Sequence, residues 1–490
     1  MPSITPIIPY STDGLFTIQL RGLASSHLVN EIIVVSPKGI DLPMPICRAI
    51  ESNSINTGST LNTILSGLTT DFFLVISEDR YSLIEPGALE RMLHNAHTSG
   101  AGIVFSDYYH GDKKGLTHHP LDDYQTGSVR DDFDFGGMML FSNSAARDAI
   151  ARYGEIPAVE FAGLYDLRLK VSIDHPILHI KDPLYYVIYK KRVGDTEGHF
   201  AYVDPKNRSA QVEMESVFTE HLRRINAYIP PEHLGVAEKN SNIFPVEASV
   251  IIPVKNRVKT IAQAVQSALS QKTDFSYNII VVDNHSTDGT TRLLSGLALG
   301  CPALRHIVPE RKDLGIGGCW NEAINSPYCG RYAVQLDSDD LYSSPESLSR
   351  IVTMLQDGPF GMVIGSYTTV DFNLKEIPPG LIDHREWTDE NGHNNVLRIN
   401  GVGAPRAFNT AIIRDIGFLN VSYGEDYAAT LRVCREYKIG RIFESLYLCR
   451  RWEENTDAHP SAEEIKRNNE FKDSIRSDEI LARQRLNRCL

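Results

Sequence analysis

The stretch ASVIIPVKNRVKTIAQAVQSALSQKTDFSYNIIVVD, residues 248–283, decides the fold. Its two ends, Ala248–Val254 and Tyr277–Asp283, are continuous apolar runs rich in Val and Ile. Runs of this kind mark strands buried on both faces. Between them Ile261, Ala264, Val265, Ala268 and Leu269 recur at helical spacing, which predicts an amphipathic helix over 260–271. Strand, helix and strand make a βαβ unit, hence a parallel sheet covered by helices. Further on, an apolar run at 332–336 ends in Asp337-Ser-Asp-Asp340, and another follows at 361–365. The predicted fold class is therefore α/β with mostly parallel central sheets.

The first half repeats this order. Ile7-Ile-Pro-Tyr-Ser11 matches Ile251-Ile-Pro-Val-Lys255, and Glu31-Ile-Ile-Val-Val35 matches Asn278-Ile-Ile-Val-Val282. Phe73-Leu-Val-Ile-Ser-Glu-Asp79 matches Val334-Gln-Leu-Asp-Ser-Asp-Asp340. Offsets that grow slowly along the chain predict a duplicated domain with insertions. The expected layout is one domain over 1–195, a linker with one helix over 196–245, and a second domain over 246–455. A charged helical tail, 456–490, opens with the capping box Ser461-Ala-Glu-Glu464. Its Ile465, Phe471, Ile475, Ile480 and Leu481 are the positions expected to dock it.

Composition narrows the classes. The 490 residues leave room for two to four domains at roughly 100–200 residues each. Hydrophobic content of 42% with 23% charged residues excludes wholesale disorder. A net charge of −13 argues against a nucleic-acid partner, which calls for a basic footprint. Seven cysteines without a CxxC pair predict reduced thiols rather than a disulfide framework or zinc site. The start, MPSITPIIPY, lacks the layout of a signal peptide, and no apolar run reaches the ~18 residues of a membrane span. The expectation is a cytoplasmic protein with at most peripheral contact at the inner face of the membrane.

Ligands of parallel sheets bind at the carboxyl ends of the strands. Lys255-Asn-Arg257, Asp283-Asn-His-Ser-Thr-Asp288 and Asp337-Ser-Asp-Asp340 all fall at such ends. Two carboxylates one residue apart can hold one hard divalent ion and leave coordination positions for water and a diphosphate. Read alone, the same residues also suit a capped turn. Glu425-Asp426 opens a helical pattern and reads either as a cap or as a base. Arg450 and Arg451 read as phosphate ligands or as ion pairs, and Trp452 as a sugar platform or as core. Gly315-Ile-Gly-Gly318 lacks the spacing of a dinucleotide loop. Gly401-Val-Gly-Ala-Pro-Arg406 reads as an acceptor loop or a simple turn, and His384, His393 and His459 lie in polar loops.

Taken in order, Ile-Ile-Pro-Val-Lys-Asn-Arg257, Val-Val-Asp-Asn-His-Ser-Thr-Asp-Gly289, Gly315-Ile-Gly-Gly-Cys-Trp-Asn321, Leu-Asp-Ser-Asp-Asp340, Tyr-Gly-Glu-Asp426 and Arg450-Arg-Trp452 form a set. That set resembles the GT-A fold of family 2 glycosyltransferases over roughly 246–455. The resemblance implies transfer of a sugar, with inversion, from a nucleotide-diphosphate donor (UDP or GDP) to a glycan or lipid-linked acceptor in surface polysaccharide synthesis. It implies Mn2+ or Mg2+ on Asp339 and Asp337, and a catalytic base from Asp426 and Glu425. Donor contacts would come from Pro253, Val254, Asn256, Asp283, Asn321, Asp337, Ser338 and Arg451. Trp320 departs from the family pattern, in which Arg often precedes the Asn. The first half carries Ser36 in place of Asp283, and Ile76, Glu78 and Asp79 in place of Asp337, Asp339 and Asp340. Tyr165-Asp166 stands where the second half has Glu425-Asp426. The expected first domain is a degenerate GT-A-like module. The rival readings are a bifunctional enzyme and a catalytically silent glycan- or nucleotide-binding scaffold; homo-oligomerisation is left open.

Overall fold

The computed structural model describes residues 2–112, 115–190, 208–237, 243–452, 455 and 461–489. The chain divides into two compact units. Unit 1 gathers Met1–Asp195, Lys206–Tyr228 and Ser461–Leu490, and unit 2 gathers Thr196–Pro205 and Ile229–Pro460.

In unit 1, β1 (Ile4–Pro9), β2 (Ile32–Ser36), β3 (Cys47–Glu51), β4 (Phe72–Ile76), β5 (Ile103–Ser106), β6 (Met138–Ser142) and β7 (Ile177–Ile180) form one sheet. Their order is β7-β5-β6-β4-β1-β2-β3. All pairs are parallel except those of β6, which runs against β4 and β5. Ile4, Ile8, Ile32, Val34 and Leu74 enter one core layer, while Ile7, Ile33, Val35, Phe73 and Val75 enter the other. Alternate side chains buried on opposite faces explain why these strands read as unbroken apolar runs.

Unit 2 holds β8 (Ala248–Val254), β9 (Tyr277–Asp283), β10 (Leu304–Ile307), β11 (Tyr332–Gln335), β12 (Met362–Val370), β13 (Arg406–Asn409) and β14 (Ile439–Arg450). Their order is β10-β9-β8-β11-β13-β12-β14, and only β13 runs against its neighbours in this path. Leu341–Tyr342 pairs with β14, and Glu376–Ile382 pairs with β12, both antiparallel. Strand for strand, order and direction are the same as in unit 1. The helix between β8 and β9 spans Ile261–Leu269 and buries Ile261, Ala264, Val265 and Ala268, as its periodicity requires.

The segment read as a linker contributes the helix Arg208–Arg224 to unit 1, where the Glu213 carboxylate accepts from the Glu160 and Phe161 amides. The helix Ala462–Cys489 also belongs to unit 1. Its capping box forms, with Ser461 N donating to Glu464 at 2.8 Å and Glu464 N to Ser461 Oγ at 3.2 Å. The docking face differs from the apolar one expected. Ile465 and Leu481 are exposed, whereas Asp473, Arg476, Glu479 and Arg483 are buried along with Ile475 and Ile480. Polar contacts set that face: Ser128 Oγ donates to Asp473 and Gly127 N to Ser477 Oγ, each at 2.8 Å. All seven cysteines are free, and among the described residues no helix is long and apolar enough to cross a membrane.

Candidate active site

Val254 and Asp283 are register partners at the ends of β8 and β9, so the loops that follow leave side by side. Asn256, held at φ +54°, donates its amide to Ser286 Oγ at 2.9 Å and accepts from Thr287 N at 2.7 Å. Arg257 N and Val258 N donate to Thr290 Oγ1 and Asp288 Oδ2. Pro253 and Val254 remain part of β8 below this knot.

Asp283, expected to face the nucleotide, is fully buried instead. Its oxygens accept from Ser286 N at 2.9 Å and from Thr291 Oγ1, with His306 Nε2 at 3.4 Å. Burial by itself would raise its carboxyl, but these bonds outweigh it and hold the group far below the usual range. Asn321 is likewise spent internally: its amide exchanges two hydrogen bonds with the Phe418 backbone, at 2.8 and 2.9 Å. Trp320 stacks on Phe418 in the core, 5.1 Å between centroids. The glycines before it serve packing. A Cβ on Gly317 would sit 1.9 Å from Leu419 O and 2.9 Å from Glu425 Cβ, so glycine lets the segment that leads into the helix Glu425–Glu436 approach.

The acidic stretch after β11 and the acidic pair opening that helix are brought together. The Asp337 carboxylate accepts from Gln335 Nε2 at 3.0 Å, and its amide donates to Tyr447 Oη at 2.9 Å. Gln335 Oε1 accepts from Arg406 N at 3.1 Å. Arg406 then reaches Asp426 Oδ2 through Nη2 at 2.9 Å and donates from Nη1 to Gly403 O at 2.8 Å. Gln335, Arg406 and Tyr447 therefore complete the constellation, and sequence reading missed all three as site residues. The only signal was Arg406 at the end of the glycine loop; Gln335 is hidden within a strand.

Asp339 Oδ2 lies 3.3 Å from Asn455 Nδ2, 3.4 Å from Trp452 Nε1 and 3.6 Å from Arg257 Nε. Asp340 is buried, and its Oδ1 accepts from Arg450 N at 2.8 Å. Burial and the neighbouring charges of Asp337 and Asp339 push the Asp340 carboxyl well up, and burial raises Asp337 as well. Glu425 is pushed up to about 8 by burial and by the adjacent Asp426. Arg450 is not a surface residue: it is buried, donating to the Asp339 carbonyl and to Gln263 Oε1. Arg451 N donates to Val370 O at 2.8 Å, and Trp452 leans on Phe372 with ring centroids 5.4 Å apart. Ser338 is buried between the aspartates. His384 pairs with Glu386, His393 Nε2 meets Ile229 O, and His459 lies outside the described residues.

Could these residues hold a divalent ion? Among the described residues no group of three or more His, Cys, Asp or Glu could hold one alone. The pair Asp337 and Asp339 offers hard oxygen ligands, both partly exposed, the Asp339 side chain at 15%. One or two carboxylates, completed by water and substrate phosphates, is how Mg2+ is usually bound. The donor set fits an ion that arrives with a diphosphate.

The corresponding groups of unit 1 are tied up. Glu78 Oε1 accepts from Ser54 Oγ and Ile55 N, both at 2.8 Å. Asp79 is chelated by Arg80. Asp166 is buried, 2.6 Å from Lys170 Nζ and 3.3 Å from Arg224 Nη1.

Residues 249–416 match the family described as "Glycosyl transferase family 2". Chondroitin synthase of Escherichia coli is 40% identical over 93 residues, 19% of this chain and 13% of that protein. Polyprenol monophosphomannose synthase of Mycolicibacterium smegmatis is 28% identical over 158 residues, 31% of this chain and 54% of that one. The chain covers about a third of the length of several other curated relatives. Among solved structures, S. aureus TarS 1-349 in complex with UDP-GlcNAc is 20% identical, with a TM-score of 0.37 over 48% of this chain and 72% of that one. With their ordered motifs and the α/β sheet that carries them, residues 249–416 are similar to glycosyl transferase family 2.

Proposed function

We propose that unit 2 transfers a glycosyl group from a nucleoside-diphosphate sugar to an acceptor hydroxyl. The observation that carries this reading is the convergence of Asp337 and Asp426 through Gln335 and Arg406, at the carboxyl ends of the strands of a family 2 domain. Asp426 is the base. The acceptor oxygen attacks the anomeric carbon, its proton passes to the Asp426 carboxylate, and the bond to the phosphate breaks with its electron pair on the departing nucleoside diphosphate. Attack opposite the leaving group inverts the configuration. Arg406 fixes the orientation of Asp426, and the buried Arg450 braces the Asp339 turn. Mn2+ or Mg2+, held by Asp339 and Asp337, would neutralise charge on the leaving diphosphate.

The donor loops are those of Asn256, Asp283 and Ser338, with Arg451 beside them. The burial of Asp283 and the internal bonds of Asn321 support a part for these two in holding the loops. The acceptor is a glycan or a lipid-linked glycan in surface polysaccharide synthesis, a reading supported by the names of the two relatives above. The protein works in the cytoplasm, at most peripheral to the membrane. The domain layout is a duplicated one, with residues 246–455 catalytic. The identical strand order of the two sheets supports this, and the burial of Asp166 with Lys170 supports a silent unit 1 over a bifunctional enzyme.

The test is release of UDP or GDP from a panel of nucleotide sugars by the full chain, with Mn2+, with Mg2+ and with chelator. One donor class should be consumed, with Asp426→Asn slowing turnover by about 10²–10⁴ and Asp339→Asn removing the metal response. Turnover that survives Asp426→Asn unchanged would refute the assignment of the base.

A further inference from the structure

Unit 1 keeps a cavity of about 270 Å³ where unit 2 has its candidate active site. Its lining comes from the end of β4 and the turn after it (Glu78, Asp79, Arg80), from the approach to β6 (Asp134, Phe135) and from Asn56. Leu164, beside the Tyr165-Asp166 pair, closes one side. In unit 2 the equivalent places carry Asp337–Asp340 after β11, Arg406 on β13 and the Glu425-Asp426 pair. The location is thus shared while the chemistry is not.

Three features define what the cavity can take. First, its size lies just below the ~300–1,000 Å³ of pockets for drug-sized ligands, which suits one ring better than a whole nucleotide sugar. Second, its charge is unsuited to a diphosphate. Glu78, Asp79 and Asp134 outnumber Arg80, and Arg80 is already shared between Asp79, at 2.9 Å, and Asp134, at 3.3 Å. Glu78 and Asp79 are moreover engaged internally, by Ser54 and Ile55 and by Arg80, rather than presented as a pair to a cation. Third, a polar hydrogen-bonding group stands beside apolar lining. Asp134 is engaged through Oδ1 alone, by Arg80 and by Gly136 N, and among the described residues no donor engages its Oδ2. Phe133 and Phe135 supply apolar surface. The unengaged Asp134 oxygen beside apolar ring atoms, around a single-ring volume, matches the alternating hydroxyl and C–H faces of a sugar.

We propose that this cavity is a saccharide-binding site: it holds one neutral sugar ring without metal or nucleotide, and it does no transfer chemistry. Asp166, the counterpart of the acidic pair of unit 2, is locked by Lys170 and Arg224, so binding is the role assigned to the cavity. This inference stands on unit 1 alone and does not need the proposed activity of unit 2.

The experiment is ligand-observed saturation-transfer NMR on the full chain, without nucleotide or added metal. The probes are the methyl glycosides of glucose, galactose, mannose, N-acetylglucosamine and N-acetylgalactosamine. At least one should show transfer. The signal should fall at least about fivefold in Asp134→Ala, which removes a half-exposed side chain, and in Leu164→Trp, which fills the cavity from a partly buried position. It should persist in Asp426→Asn, which alters only unit 2. Circular dichroism of each variant establishes that it is folded. Absence of transfer from every probe overturns the proposal, as does a signal that survives both unit 1 variants or disappears with Asp426→Asn. UDP or GDP binding that is lost in Asp134→Ala would also overturn it, by making the cavity a nucleotide site.

Discussion

Replacing Gly317 by Ala tests how the acidic pair is positioned. The added Cβ would stand 1.9 Å from the Leu419 carbonyl oxygen, where even a close C–H···O contact needs about 3.3 Å. The obstacle is backbone and cannot rotate aside. The segment before the helix Glu425–Glu436 must therefore retreat by on the order of 1 Å, taking Glu425 and Asp426 with it. A misplacement of about 1 Å can cost about 10² in rate, and overpacking of this kind costs about 1–3 kcal/mol in stability. The expected result is a kcat for nucleoside-diphosphate release about 100-fold lower, with the donor KM nearly unchanged because the donor loops belong to other strands. Thermal melting should fall by several degrees. Gly296→Ala is the control, since its Cβ meets nothing within 4 Å on the exposed face of the helix Thr290–Gly300. A folded Gly317→Ala protein with wild-type kcat would show that this close approach does not set the position of Asp426.

Gly296→Ala should itself stabilise the protein by about 0.5–1 kcal/mol, read from the urea midpoint, because alanine is the better helix former. Glu425 gives a pH signature. Its folded pKa, about 8, lies above the ordinary 4.5, so the folded state binds the extra proton. Its contribution is fully present below about pH 4.5 and is lost as pH rises towards 8. Glu425→Gln should therefore gain stability relative to wild type between pH 5 and about pH 8, and a difference that is flat with pH would contradict the raised pKa. Asp166→Asn leaves the buried Lys170 without its 2.6 Å partner and should cost about 3–5 kcal/mol in denaturant unfolding. In the protein that remains folded, donor turnover should be unaltered; a distinct lost transfer step would instead favour two active units.

The parallel core was legible because a strand buried on both faces leaves an unbroken run, as in Ala248–Val254 and Tyr277–Asp283. β13, Arg-Ala-Phe-Asn, was not, since four residues with polar ends carry no periodicity. The acidic residues of the site were visible because carboxylates at strand ends are conspicuous. Their connectors were not: Gln335 and Arg406 act through contacts between residues far apart in sequence. Asp283 and Asn321 were read as facing a ligand because motif order says where a residue falls, not where its hydrogen bonds go. The terminal helix misled for a related reason. A charged face ordinarily meets solvent, yet Asp473, Arg476, Glu479 and Arg483 are buried among compensating partners.

Unit 1 is assembled from chain on both sides of unit 2, with residues 461–489 supplying its last helix. During synthesis the second module can mature while the first still waits for a helix that is made after it. A truncation just past the transferase motifs, at first sight a harmless trim, would strip the seat around Gly127 and Ser128 and harm the half of the protein farthest away in sequence.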